Sequence, residues 1–145
     1  MRHVVAYKYV TRRSRMPFPV DIKFVSETER QLGVKFPPAY VNAMVKSNGG
    51  GVEAAPDYWH LYPIFDTSDK KRLKRTCNDV VRETKSAKEW PDFPPNAVAI
   101  GANGGGDQLI LIPQADHPEL LDHAVYWWDH ETGDIHKVAD DFGDL

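Results

Sequence analysis

Ala97-Val98-Ala99-Ile100-Gly101-Ala102-Asn103-Gly104-Gly105-Gly106-Asp107-Gln108-Leu109-Ile110-Leu111-Ile112 is the stretch on which the fold class turns. Two short apolar runs, 97–100 and 108–112, flank a glycine-rich link. Runs of this length bounded by turn residues read as buried strands, and the link reads as their hairpin connection. The alternative is a phosphate cradle, but a P-loop needs a Lys and a hydroxyl residue after its glycines. Here Asp107 follows them, and a carboxylate at that point repels phosphate. A dinucleotide fingerprint needs a helix directly after the loop, whereas Gln-Leu-Ile-Leu-Ile reads as a strand. Glycines supplying positive φ in a strand connection are the better account.

The same pattern recurs downstream. Residues 125–128 and 135–138 flank Glu131-Thr132-Gly133-Asp134 and predict a second hairpin of the same antiparallel sheet. Upstream, the spacing turns helical. Asp21 can cap a helix carrying Ile22, Val25, Glu29 and Leu32 on one face, with Gly33 placed to end it. Pro38 suits the first turn of a second helix, with Tyr40, Val41, Met44 and Val45 as its apolar face, stopped by Asn48-Gly49-Gly50-Gly51. A strand is expected over 58–65 and a long helix over 70–85, its apolar stripe running through Leu73, Cys77, Val80, Val81 and Thr84. The resulting class is α+β: an antiparallel sheet with an N-terminal helical hairpin and one further long helix packed against it. Residues 1–20 read as an N-terminal extension in which 3–10 suit an edge strand, and 21–145 as the domain.

Composition narrows the classes of function. At 145 residues, 41% apolar and 11% aromatic, the chain can bury a core without covalent staples. Cys77 is the single cysteine, so neither an intrachain disulfide nor a cysteine-based zinc cage can form. No segment approaches the apolar length of a bilayer span, and the N-terminus lacks the order of a secretory signal, so a cytosolic protein is expected. The net charge of −3 hides an asymmetry. Residues 1–90 hold 17 Lys and Arg against 10 Asp and Glu, while residues 91–145 hold one Lys against 11 acids. Such a split fits a basic partner for the acidic part, unless the two halves interleave in space.

Candidate chemistry is sparse. Asp129-His130-Glu131 with His136 does not have the spacing that puts two imidazoles on one helical face, and a turn defeats that geometry. His117 and His123 are too dispersed to form a ligand set, so no metal and no cofactor is expected. Cys77, on the apolar stripe of its helix, reads as a buried structural thiol and not as a nucleophile. No nucleophile elbow is present, and no carboxylate pair is singled out for acid–base work. Residues 70–75, with Arg12, Arg13 and Arg15, offer a basic surface that would suit nucleic acid, although a Lys-rich helix face is more often merely solvated.

Taken in order, five motifs are more specific than any one. They are Glu29-x-x-Leu32-Gly33-Val34-x-Phe36-Pro37-x-x-Tyr40, Asn48-Gly49-Gly50-Gly51, Ile100-Gly101-x-Asn103-Gly104-Gly105-Gly106-Asp107, Val125-Tyr126-x-Trp128-Asp129-His130-Glu131 and Val138-Ala139-Asp140-Asp141-Phe142. This succession resembles the SUKH superfamily, the immunity proteins related to fungal cell-wall synthesis regulators, over residues 21–145. Phe36 stands where the family more often has Leu, a conservative departure.

The resemblance implies a non-catalytic protein that binds and neutralises a polymorphic toxin, many such toxins being nucleases. It also implies, as the alternative, a general protein-interaction or regulatory module, with nucleic-acid binding the weaker reading. Asn48-Gly49-Gly50, Asn103–Gly106, Leu32, Pro37 and Tyr40 of its motifs serve the fold, and the contact surface is sought among the acids of the last third. Asp116, Glu119 and Asp122 fall in one loop, Asp129, Glu131 and Asp134 around the last hairpin, and Asp140, Asp141 and Asp144 at the end. Trp127 joins them as a candidate anchor. It and Trp128 point to opposite faces of a strand, so that one packs inward and the other is presented to a partner, unless both are buried.

Overall fold

The structure, a computed structural model, describes residues 17–145, so the edge strand expected over 3–10 and the cations Arg12, Arg13 and Arg15 lie outside the described residues. The first helix, α1 (Ile22–Leu32), begins where Asp21 accepts a hydrogen bond from the Lys23 amide. It ends at Gly33, whose φ of 74° lets its N–H return to the Glu29 carbonyl. Glu29 also reaches past the turn, its Oε2 accepting from the Phe36 amide at 2.8 Å. That bond fixes the approach to α2 (Pro38–Lys46), which has proline at its first position. The helical face differs from expectation in one place: Val25 and Thr28 are buried, whereas Ile22 lies 53% exposed.

Six strands follow in a sheet whose spatial order is the chain order, each antiparallel to the next. They are β1 (Gly50–Ala54), β2 (Asp57–Leu61), β3 (Val98–Ala102), β4 (Gln108–Leu111), β5 (Val125–Trp128) and β6 (Ile135–Ala139). The two downstream hairpins form as expected. The Gly49-Gly50-Gly51 run, read as a helix stop, also opens β1, which pairs in full register with β2. The strand expected over 58–65 is shorter, spanning Asp57–Leu61. In a meander of this kind the tips of β1–β2, β3–β4 and β5–β6 all lie at one end of the sheet. The connections 62–97 and 112–124 lie at the other.

The long helix expected over 70–85 is two short ones, α3 (Lys70–Arg75) and α4 (Val80–Ala87). Local hydrogen bonding wins over the apolar period. The Thr76 hydroxyl accepts from the Asp66 amide at 2.9 Å and donates back to the Arg72 carbonyl at 2.9 Å. Asp79 then caps a new helix by accepting from the Arg82 amide. The break splits the stripe: Val80, Thr84 and Ala87 are buried, but Leu73 and Cys77 are exposed, so Cys77 is not the buried thiol expected.

α4 packs on β3, and the buried Thr84 hydroxyl accepts from the Ala99 amide at 2.9 Å. Asn48, buried at the end of α2, receives the Ile64 amide on Oδ1 at 2.7 Å and donates from Nδ2 to the Ile64 carbonyl at 2.8 Å. Tyr40 closes the opposite side, its ring 4.7 Å from Phe36 and 5.2 Å from Phe142 of a closing 3-10 turn (Phe142–Asp144).

Candidate functional site

The glycine-rich link gains its meaning from strand register. Gln108 pairs with Trp128, which sets Asp107 beside Asp129 and His130 of the next turn. Asp107 there accepts four hydrogen bonds. Oδ1 takes the His130 amide at 3.0 Å and meets His130 Nδ1 at 2.6 Å. Oδ2 takes the Trp127 indole N–H at 3.0 Å and Asn103 Nδ2 at 3.3 Å. Asn103 Nδ2 also donates to Asp57 of β2 at 3.0 Å, and Asn103 Oδ1 receives the amides of Gly105 and Asp107. One carboxylate and one amide therefore brace side chains from all three hairpins. Gly106 completes the fit, since at φ 109° a Cβ would lie 2.8 Å from the His130 ring.

Charge follows from this geometry. Burial pushes the Asp107 carboxyl up, but the His130 side chain and amide, the Trp127 indole and the imidazolium charge outweigh it and hold the group below its ordinary value. The hydrogen bond to Asp107 raises His130 above its ordinary value against some desolvation, with the charges of Asp107, Glu131 and Asp129 adding to it. Ligand-capable atoms of Asp107, Asp129 and His130 lie within 4.8 Å of one another. Both Asp107 oxygens are already filled by donors, so the arrangement is that of an internal brace.

The ten acids and aromatics singled out from the sequence do not form one surface. Asp129, Glu131 and Asp134 gather at the hairpin tips, with Glu131 and Asp134 exposed. Asp116, Glu119, Asp122, Asp140, Asp141 and Asp144 lie at the opposite end, separated from them by the length of β5, on the order of 13 Å. Several of the second group have local work. Glu119 lies 3.7 Å from His117, Asp140 3.1 Å from Lys137 and Asp141 3.7 Å from His123. Asp141 also caps the closing 3-10 turn, and Asp122 accepts from the His123 amide.

Trp128 is buried and Trp127 half-buried, stacked on His136 at 4.6 Å. Trp127 is thus neither a free anchor nor a fully buried residue. Sequence reasoning passed over Asp107, whose place after the glycines was taken only as evidence against phosphate. It also passed over Trp90, which is 48% exposed and stands edge-on to Trp128 and His130.

The basic helix α3 is less free than its composition suggests. Phe18 lies under Arg72 at 4.2 Å and Arg75 at 4.5 Å, with Lys71 at 5.6 Å, and Arg72 also pairs with Asp69 at 2.7 Å. Lys70, Lys71 and Lys74 remain exposed. A cleft of about 280 Å³ between α1, α4 and the 113–118 connection is lined by Leu32, Val34, Thr84, Lys88, Asn96 and Pro118, with no convergent set of acids, bases and nucleophiles.

The brace ties together two of the ordered motifs, 100–107 and 125–131, and the comparison with known families agrees with them. The model of the SMI1 / KNR4 family (SUKH-1) matches residues 19–145. The chain belongs to that family. The match takes in every described element, from the cap of α1 to the closing turn, so the SUKH-1 fold here is the helical pair, the six-stranded meander and the two short helices α3 and α4. No curated protein matches the chain. Among the described residues, no helix is long and apolar enough to cross a membrane.

Proposed function

We propose that this SUKH-1 protein is a non-catalytic immunity protein of the cytosol, which binds a cognate toxin domain and blocks it. The observation that carries the reading is the family match across residues 19–145, because the family is generally one of non-enzymatic immunity proteins. The charge distribution supports it. The basic half of the sequence interleaves with the acidic one through β2–β3 and α4, but the exposed acids at the hairpin tips, Glu131 and Asp134, give a local field that attracts a basic protein. A toxin whose active cleft grips phosphate is basic there, so a nuclease domain fits that field best. Contact by an acidic surface would block such a cleft with no chemistry from the immunity protein.

The test is co-expression with the product of the adjacent gene. Growth inhibition by that product should be relieved by this chain, and the two should co-purify as a complex that weakens as salt rises. A neighbour that is harmless, or a harmful one that neither co-purifies nor is relieved, would leave only a general interaction module.

A further inference from the structure

At the hairpin-tip end of the sheet, exposed apolar surface and exposed acid coincide. Trp90 is 48% exposed and Ile135 42% exposed. Ile135 is the register partner of Trp128, so their side chains share one face of the β5–β6 hairpin. Trp90 stands against Trp128 on that face, ring centroids 6.3 Å apart. The chain around Trp90 is held in place and does not hang free. The Trp128 indole donates to the Asp92 carbonyl at 3.1 Å, and a Cβ on Gly133 would lie 2.9 Å from that of Asp92. Phe93, 5.2 Å from Trp128, already seals the core beneath. The fold therefore leaves nearly half of a large indole and of a branched aliphatic chain in water.

The rim is acidic. Glu89, Asp92, Glu131 and Asp134 are exposed, and none has an ion-pair partner among the described residues. Close to them in sequence, Lys85 and Lys88 add positive charge, Lys137 is paired with Asp140, and His130 is engaged by Asp107. We propose that Trp90 and Ile135, ringed by Glu89, Asp92, Glu131 and Asp134, form the docking surface for a basic protein partner that lays an arginine against the indole. The proposal rests on the binding role given above and names its surface.

The charge decides the occupant. A second copy of this chain, meeting this face with its own, would bring like charges together. Nucleic acid and anionic lipid are repelled for the same reason. A guanidinium satisfies both parts at once, stacking on the indole while its N–H groups pair with carboxylates. Ile135 offers the apolar contact for the arginine stem.

Two measurements test the proposal. A hexa-arginine peptide is titrated into the isotopically labelled full chain and followed by NMR. Shifts should concentrate on the Trp90 indole N–H and the amides of 129–135. Hexa-lysine should bind more weakly, and Trp90→Ala should weaken hexa-arginine by about threefold, the usual worth of an exposed cation–π contact. Shifts centred on Asp116 and Glu119 or on 140–144, or equal binding by Trp90→Ala and the parent, would overturn it. Glu131→Gln with Asp134→Asn provides a second variant that leaves the apolar contacts intact, and it too should weaken the peptide.

The adjacent-gene product separates the two proposals. If the parent neutralises it and Trp90→Ala does so equally well, the surface is wrong and the immunity role stands. If the peptide binds at Trp90 while the neighbour is not bound, the immunity role is wrong and the surface stands.

Discussion

Replacing Asp107 should destabilise the fold far beyond the loss of one surface charge. Its side chain is 14% exposed and that of His130 22%, so both lie largely out of water. The carboxylate holds four donors on two oxygens. In Asp107→Ala, the Trp127 indole N–H and the His130 amide lose their acceptor, at about 1–3 kcal/mol for each donor left unpaired. Water reaching the hairpin tips offsets part of this, which places the expected loss at about 3 kcal/mol, or roughly 10 °C in Tm for a chain of this size. Asp107→Asn keeps one acceptor oxygen but turns an NH2 group toward the remaining donors, so about 2 kcal/mol is expected.

The pH dependence separates charge from shape. Asp107 is depressed in the folded state, so its contribution is present above the ordinary Asp value and lost as pH falls through its lowered folded value. His130 is raised, so its contribution is full below the ordinary His value and lost as pH climbs through its raised folded value. The coupling between them should therefore be larger at about pH 5.5 than at about pH 9. A double-mutant cycle of Asp107→Asn and His130→Ala, by urea unfolding at both pH values, measures it. A coupling independent of pH, or a Tm for Asp107→Asn within about 1 °C of the parent, would refute the account of the brace.

Three further substitutions read other parts of the fold. Asn48→Ala strips both partners from the buried Ile64 backbone and should lower stability by about 2–4 kcal/mol in denaturant unfolding. Tyr40→Phe should be neutral or stabilising by up to about 1 kcal/mol in the same measurement, since the buried Tyr40 hydroxyl has no hydrogen-bond partner among the described residues and burial pushes its pKa up. Gly106→Ala should lower Tm by several degrees and shift the His130 ring resonances, because the added methyl meets that ring at a backbone angle L-residues rarely adopt. A His130 spectrum unchanged in Gly106→Ala would remove the steric part of the argument.

Where local chemistry decides an element, the sequence was readable. Asp21 and Gly33 bound α1 because cap and αL residue are defined by a few neighbouring atoms. The two glycine-bearing hairpins were readable for the same reason. Residues 70–85 failed because the apolar period runs straight through a point where Thr76 and Asp79 satisfy the backbone differently. Thr76 does so by reaching Asp66, ten residues back. β1 was hidden because Gly-Gly-Val-Glu-Ala has little strand propensity and is held by its full pairing with β2.

The candidate surface was less readable, and the cause is geometric. Counting acids in the last third of the chain treats residues on opposite ends of β5 as neighbours, whereas strand register decides which of them share a surface. Register also changes what an acid is for. Asp107 is the acid with the most partners in this region and the least suited to meet another protein, because its oxygens are filled from within. Glu131 and Asp134, three and six residues beyond the end of β5, have no ion-pair partner among the described residues. Trp90 was missed from the other direction. Its exposure depends on α4 ending at Ala87 and on the segment that follows docking against the β5–β6 turn, neither of which its own neighbours in sequence specify. A binding surface assembled this way, from the end of one helix and the turn of a distant hairpin, can change its side chains freely while Asp107, Asn103 and Gly106 keep the hairpin tips in place. That separation is what the immunity role proposed above requires, one scaffold meeting many different toxins.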